Sequence, residues 1–164
     1  MIKLEQLSIK DDYKVYEMLQ RIGSCENEFK NTAHGISYEE YLEWLKIQDD
    51  WSRGENLPKD YVPQTIFWLF DDDVPVGFGK IRHRLTNYSR EIGGNIGYAI
   101  DPYYRGKGYA TKLLALLIDK AKELKVNEIL LSVEKYNPAS KNVIEKNGGK
   151  MISENEYRWY FSFD

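Results

Sequence analysis

Apolar residues recur along this chain with two periods, and the changes between them mark out the elements. Ile2, Leu4 and Leu7 fall in a segment that reads as a first strand over residues 2–8. Val15, Met18, Leu19 and Ile22 then repeat at helical spacing, and Asp11 or Asp12 is placed to cap that helix. Ser37-Tyr38-Glu39-Glu40 has the form of a capping box, opening a second helix with Tyr41, Leu42, Leu45 and Trp44 on its inner side. Residues 49–63, with Trp51, Gly54, Pro58 and Pro63, read as a long irregular loop and a candidate wall for a pocket.

From Thr65 the period shortens. Thr65 to Phe70 is aromatic and β-branched, Asp71 to Asp73 turn the chain, and Pro75 to Leu85 returns as a hairpin partner. Gly77 and Gly79 weaken that strand and mark a bulge or a close backbone approach. A polar stretch, Thr86 to Gly94, leads to a short strand over Asn95 to Ile100. The helical period then returns from about Gly106 to Leu124, with Ala110, Leu113, Leu114, Leu117, Ile118, Ala121 and Leu124 inside. Glu128 to Val133 suits a buried strand, so strand, helix and strand predict a parallel pair. Met151 to Ser153 and Tyr157 to Phe163 read as a final hairpin, whose aromatic residues would alternate across a strand and offer a seam for a dimer.

Candidate chemistry lies where the strand Asn95–Ile100 hands the chain to the long helix. The first N–H groups of a helix have no partner within it, and they attract anions. Gly106 and Gly108 let a diphosphate lie against the main chain, while Arg105 and Lys107 add positive charge. A Walker loop would need Ser or Thr directly after Gly-Lys, and Gly108 stands there. A dinucleotide fingerprint would need a third glycine where Thr111 stands.

Arg105-Gly106-Lys107-Gly108-Tyr109-Ala110 resembles the R/Q-x-x-G-x-G/A signature of the GNAT superfamily of acyl-CoA-dependent N-acetyltransferases. A second block, Asn137-Pro138-Ala139-Ser140 through Ile144 to Gly148, resembles that family's element after the fifth strand. Gly93-Gly94-Asn95-Ile96-Gly97-Tyr98 and Asn147-Gly148-Gly149 are similar to a branch of uncharacterised members. The resemblance is good from Thr65 onward, and covers the first sixty residues only in the order of their elements. It implies an α+β (mixed α/β) fold: a central mixed, mostly antiparallel sheet of about six to seven strands with about four helices on its faces, one domain over 1–164.

For the site, the resemblance implies an acetyl-CoA cosubstrate, held in a gap beside Tyr98, Ala99 and Ile100 and along Arg105, Gly106, Lys107, Gly108, Tyr109, Ala110 and Thr111. Asn137, Ser140 and Asn142 complete that set. The acetyl group would pass to a primary amine by direct attack in a ternary complex. Many members carry a Glu base on the strand before the loop, where this chain has Gly94 or Asn95, and a Tyr acid where it has Ile144. Glu91, His83, Glu134 and Tyr136 are the candidate bases, Glu91 first; Tyr136, Ser140 or water is the candidate acid. Because the usual Glu and Tyr are missing, a module that holds acyl-CoA without turnover is the second reading, and an interaction domain with a vestigial loop the third.

Composition narrows the rest. With 42% hydrophobic residues and 14% aromatic ones, the 164-residue chain can bury a core and is not a disordered segment. One cysteine, Cys25, and two distant histidines, His34 and His83, supply no metal-ligand spacing, so no metal is expected. A net charge of −3 gives no field for nucleic acid. With no long apolar run, the expectation is a soluble cytoplasmic protein without a membrane partner, with a homodimer left open. Acidic residues crowd the first half (Glu39, Glu40, Glu43, Asp49, Asp50, Glu55, Asp60, Asp71 to Asp73). They read foremost as solvated faces, with a cationic substrate as the alternative.

Overall fold

The computed structural model describes residues 1–10 and 12–164. Four strands form one antiparallel sheet in the order β1 (Ile2–Gln6), β4 (Gln64–Asp71), β5 (Val74–Arg82), β6 (Ile96–Ile100). A second sheet has the order β7 (Ile129–Glu134), β9 (Arg158–Phe163), β8 (Lys150–Glu154), also antiparallel. The helices are α1 (Tyr13–Arg21), α2 (Tyr38–Ser52), α3 (Asn87–Glu91), α4 (Tyr109–Glu123) and α5 (Pro138–Lys146). A small hairpin, β2 (Cys25–Glu26) and β3 (Phe29–Lys30), stands apart from both sheets. This is the mixed α/β, GNAT-like architecture that the resemblance implied, with its strands paired antiparallel in two sheets rather than in one mixed sheet of six to seven.

Strand β4 shows why the layers form. Its alternate side chains enter opposite cores: Phe67 and Leu69 join α4 and β7, while Ile66, Trp68 and Phe70 join α1 and α2. Both faces are covered, so the strand reads as an unbroken hydrophobic run. Gly79 on β5 is a close approach rather than a weak point, because a Cβ there would lie 2.5 Å from Leu117 of α4. That contact lets α4 lie flat on the sheet and fixes the direction in which its start points.

Several boundaries move. Asp12 caps α1 through the Lys14 N–H, whereas Asp11 lies outside the described residues. The Ser37 capping box is present, but α2 continues to Ser52, so only residues 53–63 form the irregular loop. Helix α4 begins at Tyr109 rather than Gly106, with Gly108 as its N-cap. The polar stretch before β6 holds the short helix α3, capped by Thr86.

The expected parallel pair is the largest difference. Between β6 and β7 one main-chain bond forms, from the Asn95 N–H to the Leu130 carbonyl at 2.9 Å, and beyond it the strands part. Asn95 is 0% exposed, and its side chain completes the clamp. It accepts from the Leu130 N–H at 3.0 Å and donates to the Glu128 carbonyl at 2.6 Å. Gly94, at φ +73°, lies so close to Leu130 that a Cβ would meet its carbonyl oxygen at 1.8 Å. The two sheets therefore form a V hinged at Asn95.

Candidate functional site

The V opens into a cavity of about 850 Å³, within the range of pockets for drug-sized ligands. At one end stand Arg105 and Ala110, by the start of α4; along the gap are Tyr98, Ala99 and Ile100 of β6, opposite Leu131 to Glu134 of β7. At the other end it widens between the β2–β3 hairpin, residues 59–62 and α3.

The end at α4 leaves main-chain N–H donors open. Gly108 sits at φ +85° in the left-handed region and caps the helix without a side chain, so nothing of the protein occupies the first N–H groups. Gly106 is also left-handed, at φ +78°, and neither glycine has a neighbour within 4 Å of an added Cβ. The loop before them is anchored from below. Asp101, 0% exposed, accepts the Tyr103 N–H at 3.0 Å and receives Nε and Nη2 of Arg21 at 2.9 and 2.7 Å. This hydrogen-bonded carboxylate holds the Arg21 guanidinium above its ordinary value. Arg105 donates Nε to the Ile100 carbonyl at 3.1 Å and pairs with Glu26 of the hairpin.

Of the other residues expected here, Lys107 lies with its Nζ 5.5 Å from the centre of the Tyr104 ring. Tyr109 turns its hydroxyl to Asp71 at 2.5 Å, away from the gap. The Thr111 carbonyl takes the Asn147 amide at 3.1 Å, which ties α4 to α5. Asn137 caps α5 through the Ser140 N–H at 3.3 Å, and both residues line the cavity. The Ser140 hydroxyl is 2.9 Å from that of Tyr98, whose pKa is pushed up by burial. Asn142 is exposed on α5 and lies outside the cavity wall.

The acid–base candidates separate clearly. Glu91 is exposed at the end of α3, away from the cavity wall, and its carbonyl is taken by Tyr160 at 2.8 Å. His83 faces Thr65 at 2.7 Å, its pKa lowered by burial, and it too is absent from the wall. Tyr136 stands at the mouth, its phenol raised by desolvation and by the charges of Glu134 and Glu28. Glu134, at the end of β7, lines the cavity and is paired with Glu28 of the hairpin. Both carboxylates reach Nη1 of Arg158, at 3.5 Å for Glu134 and 2.7 Å for Glu28. Arg158 is itself fixed by the Ser132 hydroxyl at 2.8 and 3.1 Å. Desolvation, then Glu28, raises the Glu134 pKa above the ordinary carboxylate range, and Arg158 offsets only part of that rise.

Two cations on β5, Lys80 and Arg82, complete the wide end. Lys80 keeps some surface, but its ammonium is enclosed, 5.1 Å from the centre of the Phe29 ring, and burial lowers its pKa to about 8. The folded chain therefore binds fewer protons than the unfolded one between about 8 and 10.5, and stability rises with pH across that window. Lys80→Met is expected to be more stable than the wild type at pH 7, with the advantage shrinking towards pH 10. Urea unfolding at both pH values checks this, and a difference independent of pH would contradict it.

The acidic residues crowded into the first half do not form a substrate wall; of those named, only Asp60 reaches the cavity. Asp49, Asp50 and Glu55 pair with Arg53, and Glu40 closes the α2 capping box. Among the described residues, no cluster of three or more His, Cys, Asp or Glu side chains fits a metal ion, and no helix is long and apolar enough to cross a membrane.

None of the curated proteins matches this chain in sequence. Solved structures do match its shape. Campylobacter jejuni N-acetyltransferase PseH, in complex with acetyl coenzyme A, is 18% identical with a TM-score of 0.62, over 100% of this chain and 99% of its own. Ribosomal-protein-S5-alanine acetyltransferase from Vibrio fischeri is 17% identical with a TM-score of 0.72, over 99% and 92%. PaiA N-acetyltransferase from Thermoplasma acidophilum, in complex with coenzyme A, is 20% identical with a TM-score of 0.58, over 99% and 98%. At these identities the likeness speaks for the fold alone. The acetyltransferase (GNAT) family pattern goes further, matching residues 20–149 and so taking in the hairpin, both sides of the gap, the glycine loop and α5, and by that match the chain belongs to the acetyltransferase (GNAT) family.

Proposed function

We propose that the protein transfers an acetyl group from acetyl-CoA to a primary amine of a small molecule, amino acid or peptide. The observation that carries this reading is the V: an open strand edge leading straight to an uncapped, glycine-bearing helix start. An extended pantetheine arm suits the edge as an added strand would, and a diphosphate suits the helix start. Arg105, Gly106, Lys107, Gly108, Ala110, Tyr98, Ala99, Ile100 and Asn137 are the residues to hold it. PseH and PaiA, similar in fold, are proteins solved with acetyl coenzyme A and coenzyme A.

An alkyl amine in water has a pKa of ~10.4, so attack needs a base. Glu134 fits that role better than Glu91, because it faces the cavity and its raised pKa makes it a stronger proton acceptor. The ammonium first gives one proton to Glu134, and the freed nitrogen lone pair bonds to the thioester carbonyl carbon. As the C–S bond breaks, the second proton leaves the nitrogen and reaches the thiolate by relay through Tyr136, or through Ser140 and the Tyr98 hydroxyl, each of which gives up one proton and takes another.

Glu134→Gln is expected to lower kcat by about 10²-fold or more while leaving acetyl-CoA affinity unchanged. The deficit should narrow as pH rises towards the amine's own ~10.4, where free amine no longer needs the base. Thiol-release kinetics against pH, with calorimetry of acetyl-CoA, test this. A variant with full kcat at pH 7 would remove Glu134 from the mechanism.

A further inference from the structure

The wide end of the cavity holds two cations with which, among the described residues, no carboxylate forms an ion pair. Lys80 and Arg82 alternate on β5, so they share one face with Cα atoms ~6.6 Å apart, and both line the cavity. Lys80 donates to the Lys30 carbonyl at 2.7 Å and Arg82 to the Gly94 carbonyl at 3.1 Å. These bonds leave further N–H donors on both groups, since an ammonium has three and a guanidinium five. Of the carboxylates that line the cavity, Glu26 is committed to Arg105 and Glu28 and Glu134 to Arg158, while Asp60, on the loop before β4, forms no ion pair with either cation.

Half-buried cations without a counter-charge cost free energy, and Lys80 registers that cost as its lowered pKa. The transfer reading needs neither of them, because the anion end lies at α4 and the base on β7. A structural role for Lys80 in holding β3 accounts for one bond, and it leaves Arg82 and the shared orientation unexplained.

We propose, resting on the transfer reading above, that the acceptor amine carries an anionic group, a carboxylate or a phosphate, which docks on Lys80 and Arg82. A neutral acceptor would bury the two charges further without compensating them. An anionic one forms charge-assisted hydrogen bonds with both and holds its amine in the part of the cavity that Glu134 faces.

The test uses matched amines in phosphate-free buffer: amino acids against their carboxamides, and aminoalkyl phosphates against the parent amino alcohols. Thiol release from acetyl-CoA gives kcat/KM, and the anionic member should exceed its neutral partner by about 10- to 100-fold. Preference within the panel separates carboxylate from phosphate. Lys80→Met and Arg82→Gln should each collapse the ratio, chiefly through acceptor KM, with acetyl-CoA KM unchanged. A second arm titrates succinate and inorganic phosphate into the CoA-saturated protein, where binding of at least one should be lost in both variants. Equal rates for charged and neutral partners, a ratio that survives both substitutions, or no anion binding to the CoA-saturated protein would overturn the proposal while leaving acetyl transfer standing. Failure of the wild type to bind acetyl-CoA would remove the transfer reading itself, and the anion site with it.

Discussion

Gly108→Glu is expected to abolish acetyl-CoA binding, with affinity falling by more than about 100-fold, while the protein stays folded. The position is exposed, and a Cβ there meets nothing within 4 Å, so the new side chain does not disturb packing. At φ +85° a non-glycine residue costs roughly 1–2 kcal/mol, partly offset by ~0.3–1 kcal/mol for a carboxylate at a helix start. For a chain of this size that amounts to a fall in Tm of roughly 2–4 °C. The binding effect is far larger, because the carboxylate would take the free N–H groups of α4 and repel a diphosphate. Gly108→Ala separates the two causes, since it carries the backbone strain without the charge and should lose about tenfold or less in affinity. Calorimetry and thermal melts of both variants read this out; unchanged affinity in the glutamate variant would mean that the anion site lies elsewhere.

The second large effect is expected at Asn95. Asn95→Leu leaves the buried Leu130 N–H without its acceptor, at about 1–3 kcal/mol, and adds an apolar group where a polar side chain bridged two strands. The Glu128 carbonyl is the lesser loss, because Glu128 is exposed and water can reach it. A total of roughly 2–4 kcal/mol predicts a Tm about 5–10 °C lower. Asn95→Asp keeps the acceptor for Leu130 and should fall between. If Asn95→Leu melts within about 2 °C of the wild type, the hinge of the V is not held here. Asn95, one of the two positions at which the resemblance leads to the expectation of a Glu, serves here as a structural clamp.

What the sequence made legible is what repeats locally. The Ser37 capping box, the α4 face and the aromatic, β-branched run of β4 are each decided by residues a few positions apart, and they lie where the sequence puts them. The β2–β3 hairpin has two residues per strand, too few for any period to register, and its importance comes only from Glu26 and Glu28 reaching Arg105 and Arg158. The Glu134–Glu28–Arg158 cluster brings Glu28 to a strand pair more than a hundred residues further along the chain, so no spacing rule could assemble it. Glu91 is the first candidate base by sequence, yet it stands exposed at the end of α3 and off the cavity wall. Lys80 and Arg82 did leave a signal: two cations at alternate positions among residues as apolar as Phe78 and Ile81.

The parting of β6 from β7 also bears on how the protein avoids its own kind. An open strand edge is a template on which another chain can pair and aggregate, and sheets normally blunt their edges with charge, proline or a covering element. Here the inner edges of both sheets stay unpaired beyond Asn95, but they face each other across a cleft. Phe29 lies over Gly97 on one side, and α5 lines the cleft on the other. A cleft of that shape admits a single thin extended chain and refuses a second sheet, which would need room for its neighbours. The parting that opens the cavity thus also encloses the unpaired backbone it creates.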